Sequence, residues 1–117
     1  MVSRVPLPRK LSTSGIRERL ADLNTAADEA PWRIVAGTLR KRFTFEDFRS
    51  AFAFMSKVAK AAESLGHHPD WSNSYAKVDV ALTTHSAGGL TSLDFDLATR
   101  IEAIPRPRER AAKRKSS

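Results

Sequence analysis

At 117 residues, 41% hydrophobic and 28% charged, the chain has room for one domain with a self-sufficient core, and it lies outside the disordered and fibrous ranges. It has no cysteine, which excludes disulfides, thiolate metal sites and cysteine nucleophiles, and no run of the roughly 20 apolar residues that a membrane-spanning helix needs. Its formal charge of +7 sits at the ends, with +5 in residues 105–117, +3 in residues 1–10 and −1 left for residues 11–104.

A duplex-binding surface would be built into the domain, so nucleic acid is not the expected partner. The division expected is a flexible basic arm over residues 1–10, one domain over 11–104 and a basic disordered tail over 105–117. The first residues lack acids before Glu18 and are Ser-rich, a faint likeness to an organelle transit segment. Pro6 and Pro8 oppose the amphipathic helix such a segment uses, and no apolar secretion core is present. A cytoplasmic protein is expected, with organelle targeting as the minor alternative.

In chain order, Ser12 to Ser14 can cap a helix running to about Leu23, in which Ile16, Leu20 and Leu23 share one face. Trp32 to Val35 and Leu39 to Phe45 read as two strands turned around Gly37. Thr44 and Asp47 have the spacing of a capping box, and a long helix then runs to about Leu65, where Gly66 stops it. That helix has two apolar stripes, one of Phe45, Phe48, Phe52, Met55, Ala59 and Ala62, the other of Ala51, Phe54, Val58, Ala61 and Leu65. One stripe suffices to cover a sheet; the second means either deep burial or packing on another subunit.

Residues 75–84 alternate, with Val78, Val80 and Leu82 on one side and Lys77, Asp79 and Thr83 on the other, as in a half-solvated antiparallel strand ending at His85. Gly88 and Gly89 make a turn, and Thr91 with Asp94 repeats the capping-box spacing before a last helix closed by Pro105. The fold class is α+β: an antiparallel four-stranded sheet with helices packed on one face.

All three histidines fall between positions 67 and 85. Imidazole titrates near about 6.5, so such a cluster can hold one ring protonated and another neutral, as two-way proton transfer requires. Pro69 restrains His68, and Trp71 offers a flat apolar wall for a ring-shaped ligand or a filling for the core. An idle pair of loop histidines and a zinc site are the rival readings. Zinc ranks below proton transfer, because neighbouring His67 and His68 need unusual geometry to face one ion. Asp94 and Glu63 are either ordinary helix residues or carboxylates that orient an imidazole.

The run Glu63 to Tyr75 with its His67-His68-Pro69-Asp70-Trp71 block, then Leu82-Thr83-Thr84-His85 and Gly88-Gly89-Leu90-Thr91 with Asp94, resembles the pterin-4a-carbinolamine dehydratases. The likeness extends back through Trp32 and Phe43 to Phe48 and covers about residues 11–104. It implies dehydration of a 4a-hydroxytetrahydropterin to the quinonoid dihydropterin in tetrahydrobiopterin recycling, with no metal and no cofactor. His67 and His85 are then the proton carriers, His68 holds the pterin and assists, and Glu63 and Asp94 support the imidazoles. Pro69, Trp71, Thr83 and Thr84 complete the substrate site.

Expected partners are the reduced pterin and further copies of the chain, as a homodimer or homotetramer. The alternative class is a non-catalytic interaction module: animal members of the family also serve as a dimerisation cofactor for a transcription factor, and a basic tail can touch nucleic acid.

Overall fold

The computed structural model describes residues 8–106. Its elements run α1 (Thr13–Ala26), β1 (Arg33–Val35), β2 (Thr38–Thr44), α2 (Phe48–Leu65), β3 (Asp70–Ser74), β4 (Lys77–Leu82) and α3 (Ser92–Glu102). The strands form one sheet in the order β1-β2-β4-β3 with every neighbouring pair antiparallel. The α+β class and the four-stranded antiparallel sheet expected from the sequence are the ones observed.

Each turn follows from local chemistry. Val35 and Thr38 are joined by Ala36 and Gly37, both at positive φ (50° and 76°), the two-residue connection whose twist suits a hairpin. β2 presents Leu39, Lys41 and Phe43 to the interior and Arg40 and Arg42 to the open side, the period-two signature of a sheet covered on one face. β4 does the same with Val78, Val80 and Leu82, at most 2% exposed. On that inner face Phe54 of α2 meets Phe43 and Phe45 with ring centroids 4.8 and 5.0 Å apart. Truncating a phenylalanine in such a cluster costs about 3–5 kcal/mol. α3 packs against both α1 and α2.

Several boundaries differ from the sequence reading. Ser12 does cap α1, its Oγ accepting from Gly15 N–H at 3.1 Å, but the helix runs on to Ala26. Thr44 belongs to β2 and is not the cap of α2; Asp47 caps it, accepting from Ser50 N–H at 2.9 Å. The accepted hydrogen bond holds the Asp47 carboxyl below its ordinary pKa. β3 is the strand that periodicity missed. Its sequence, Asp-Trp-Ser-Asn-Ser, has little intrinsic strand preference, and β4 imposes the conformation by pairing with it from Asp70 to Ser74.

The two stripes of α2 separate in the middle of the helix, while Phe45 and Ala62 at the ends of the first are buried with the second. Ala51, Phe54, Val58 and Ala62 are buried, whereas Phe48 and Phe52 stand 47% and 55% exposed. No described helix is long and apolar enough to cross a membrane. The expected arm and tail lie largely outside the described residues, with one informative exception. Arg106, assigned to the tail, folds back so that its guanidinium bonds Glu102 Oε2 at 2.8 Å and lies 4.9 Å from the Phe43 ring centroid.

Candidate active site

The site forms where the end of α2, the start of β3, the end of β4 and the first turn of α3 meet. Gly66 ends α2 in the left-handed region (φ 65°), where a side chain would be strained, and its N–H reaches the carbonyls of Ala62 and Glu63. His67 N–H then bonds Ala62 O at 3.1 Å, so the chain leaves the helix in a fixed direction and the two histidines diverge.

His67 turns inward. Its Nε2 lies 2.6 Å from Asp94 Oδ1, with side-chain exposures of 11% and 0%. Asp94 Oδ2 accepts from Thr84 Oγ1 at 2.8 Å and from Thr91 N–H at 2.9 Å. The Thr84 proton is thereby committed, so the 2.8 Å contact between the Thr84 and Thr91 hydroxyls is donated by Thr91. Thr91 Oγ1 in turn accepts from Leu93 N–H at 3.2 Å and closes the capping box of α3. Every neighbour of the Asp94 carboxylate is a donor, which assigns the proton on Nε2 to His67 and leaves Nδ1 as its exchangeable nitrogen.

His68 turns outward, its Nε2 2.7 Å from Glu63 Oε2 on an exposed surface. His85 opens a short turn that is clamped at its base by reciprocal backbone bonds between Thr84 and Gly89, at 3.1 and 3.4 Å. Its Nε2 stands 3.4 Å from Asp70 Oδ2. Each imidazole therefore has its own carboxylate. Asp94 and Glu63 were expected in that capacity; Asp70 was not, because no spacing rule joins a strand-start aspartate to a histidine fifteen residues later.

The other expected substrate residues divide. Pro69 and Thr83 are half-buried, and Trp71 packs its ring against the core from β3, opposite Val80. Thr84, expected at the substrate, is 5% exposed and gives its hydroxyl to Asp94, so it positions the His67 pair from behind. Among the described residues, no group of three or more His, Asp and Glu side chains is placed to hold a metal ion.

The sequence profile described as Pterin 4 alpha carbinolamine dehydratase matches residues 9–104. The chain belongs to that family. Relatives provisionally named pterin-4-alpha-carbinolamine dehydratase include one from Synechococcus sp. (strain WH7803), 51% identical over 62% of this chain and 78% of its own length. Another, from Chelativorans sp. (strain BNC1), is 46% identical over 81% of this chain and 93% of its own. Among solved structures, the transcriptional coactivator/pterin dehydratase from Brucella melitensis superposes with a TM-score of 0.73 at 39% identity, covering 81% of this chain and 97% of that one. A pterin dehydratase-like protein described as a RuBisCO assembly factor in the alpha-carboxysome shares the fold, with a TM-score of 0.53 at 23% identity, over 67% of this chain and 90% of that one. The matched stretch of the dehydratase family contains all three histidines and their carboxylates.

Proposed function

We propose that this chain dehydrates a 4a-hydroxytetrahydropterin to the quinonoid dihydropterin and water by histidine acid–base catalysis, as a step of tetrahydrobiopterin recycling. The observation that carries this reading is the His67–Asp94 pair, a nearly buried imidazole on a fully buried carboxylate that also accepts from Thr84, the residue immediately before His85. In the reaction a ring nitrogen gives up its proton, its electron pair forms the new C=N bond, and the carbon–oxygen bond at position 4a breaks. The departing oxygen takes a proton and leaves as water. His67 Nδ1 is the base, since Nε2–H is committed to Asp94, and His85 is the acid that protonates the leaving hydroxyl. His68, tethered by Glu63, holds the pterin.

A direct assay on the carbinolamine tests this. Wild-type protein is expected to accelerate dehydration, and His67→Ala and His85→Ala are each expected to lower turnover by at least about tenfold, with the circular dichroism spectrum unchanged. Near-normal rates in both variants would end the assignment. His68→Ala is expected to raise KM more than it lowers kcat.

The exposed stripe of α2 supports a homodimer or homotetramer. Phe48 and Phe52 lie side by side with ring centroids 5.8 Å apart, an apolar surface that a second copy would remove from water. Light scattering is expected to show a multiple of 13.0 kDa, and a monomer at micromolar concentration refutes the assembly.

A further inference from the structure

The face of the sheet turned away from the helices carries an open groove of about 790 Å³ whose lining includes Arg33, Arg40, Arg42, Asp70, Asp79 and Ala81. Strand register orders these residues. Asp70 pairs with Ala81, Ala81 with Arg40, and Arg40 with Arg33, so the four make one row across all four strands. At about 4.8 Å per strand, the Arg40 and Arg33 backbones lie roughly 10 and 14 Å from that of Asp70. Ala81 leaves the middle of the row low, and Asp70 at its end is the residue that meets His85.

The charges of the row are unequally satisfied. In the neighbouring row Arg42 grips Asp79 with two hydrogen bonds, Nε to Oδ1 at 2.7 Å and a terminal nitrogen to Oδ2 at 3.1 Å. Arg40 donates Nε only to the Thr38 hydroxyl, at 2.7 Å, and among the described residues neither Arg33 nor Arg40 has a carboxylate partner. Two like charges directly opposite in an antiparallel pair destabilise the sheet, and an anion between two guanidinium groups reverses that sign.

We propose that this row is a subsite for the side chain of the substrate, and that the pterin bears an anionic group, a phosphate or a carboxylate, on that side chain. The inference rests on the dehydratase reading of the histidine end. A ring held at His67 and His85 directs its side chain across Asp70 and over Ala81, and the anionic terminus meets Arg40 and then Arg33. A polyanion fits less well, because a phosphate backbone following the groove would also meet Asp70 and Asp79.

The test compares kcat/KM for carbinolamines with a neutral hydroxyalkyl side chain, with a phosphate monoester and with a terminal glutamate. Wild-type protein is expected to favour an anionic form by about tenfold or more, mainly through KM, and the preferred anion identifies the source. In the Arg33→Gln/Arg40→Gln double variant the ratio of anionic to neutral substrate, measured within the same sample, is expected to fall to near one. Equal wild-type values for all three substrates overturn the proposal, as does a preference that survives the double substitution. If no carbinolamine is dehydrated, the dehydratase reading fails alone, and calorimetry with an oxidised pterin monophosphate reads the subsite instead. Binding about tenfold tighter than the neutral pterin, lost in the double variant, upholds the subsite; equal binding overturns it. Steeply salt-dependent duplex DNA binding lost in the double variant, with no discrimination between pterins, overturns it in favour of a polyanion surface.

Discussion

Two buried carboxylates sit on α3, Asp94 in its first turn and Glu102 at its last residue, and they are wired differently. Glu102 is closed on all sides. Oε1 accepts from Lys41 Nζ and Trp32 Nε1, both at 2.8 Å, and Oε2 accepts from Arg106 at 2.8 Å and from Asp28 N–H at 2.9 Å. Lys41 and Glu102 are 2% and 5% exposed, and the two cations also offset the negative end of the helix dipole. Among the described residues, Asp94 has neutral donors and a single titratable partner, His67, whose second ring nitrogen is uncommitted. A carboxylate saturated by fixed cations can only hold structure together. One that steadies a single imidazole can serve proton transfer, because the ring can gain or lose charge while the carboxylate keeps its other bonds.

The largest expected effect separates the two residues outright. Asp94→Asn should lower turnover by about 100-fold or more, since an amide no longer enforces the Nε2–H tautomer of His67, whereas Glu102→Gln should leave turnover per folded molecule unchanged. Similar rates for Asp94→Asn and wild type would erase the distinction. The order reverses for stability: Glu102→Gln leaves Lys41 buried without its countercharge and should cost about 3 kcal/mol, read from the urea midpoint.

Acid sharpens the contrast further. Burial acts to raise the Glu102 carboxyl, but the hydrogen bonds from Lys41, Asp28 N–H, Arg106 and Trp32 outweigh it and hold the pKa below its ordinary value. A lowered folded-state pKa means that the contribution is complete above the ordinary carboxylate range and is lost as pH falls through the lower folded value. Wild type should therefore lose stability across that acid window, and Glu102→Gln should show a flatter profile there; parallel profiles would contradict the role given to Glu102.

A smaller effect is expected at the end of the domain. Arg106→Ala, or a chain ending at Ile104, removes one of several donors to Glu102 and a cation over the Phe43 ring, and should cost about 1–2 kcal/mol without touching kcat. An unchanged melting temperature would show that Lys41, Trp32 and Asp28 N–H satisfy the carboxylate without Arg106. The smallest effect is none: prolonged EDTA treatment should leave the dehydration rate unaltered, and loss of activity restored by zinc would replace imidazole acid–base chemistry with a metal.

The sequence by itself determined the α+β class, the long helix ending at Leu65 and its glycine stop, though not its first residue, the inward face of β4 and the Thr91–Asp94 capping box, because each is written in the spacing of neighbouring residues. It also isolated the histidines and two of their three carboxylates. Tertiary structure alone decided the rest. β3 exists because β4 offers it a ladder, and Asp70 meets His85 because that pairing brings the start of one strand beside the end of the other. That Phe54 of α2 is buried and Phe48 and Phe52 are exposed depends on the sheet the helix lies against, as periodicity gives a face without saying what covers it. The Glu102 cluster gathers Asp28 and Trp32 from the α1–β1 connection, Lys41 from β2 and Arg106 from beyond α3, and Arg33 faces Arg40 only through strand register. Local patterns are fixed by bonds within a few residues, whereas charge pairs, active-site geometry and open grooves depend on distances that arise only when remote segments pack.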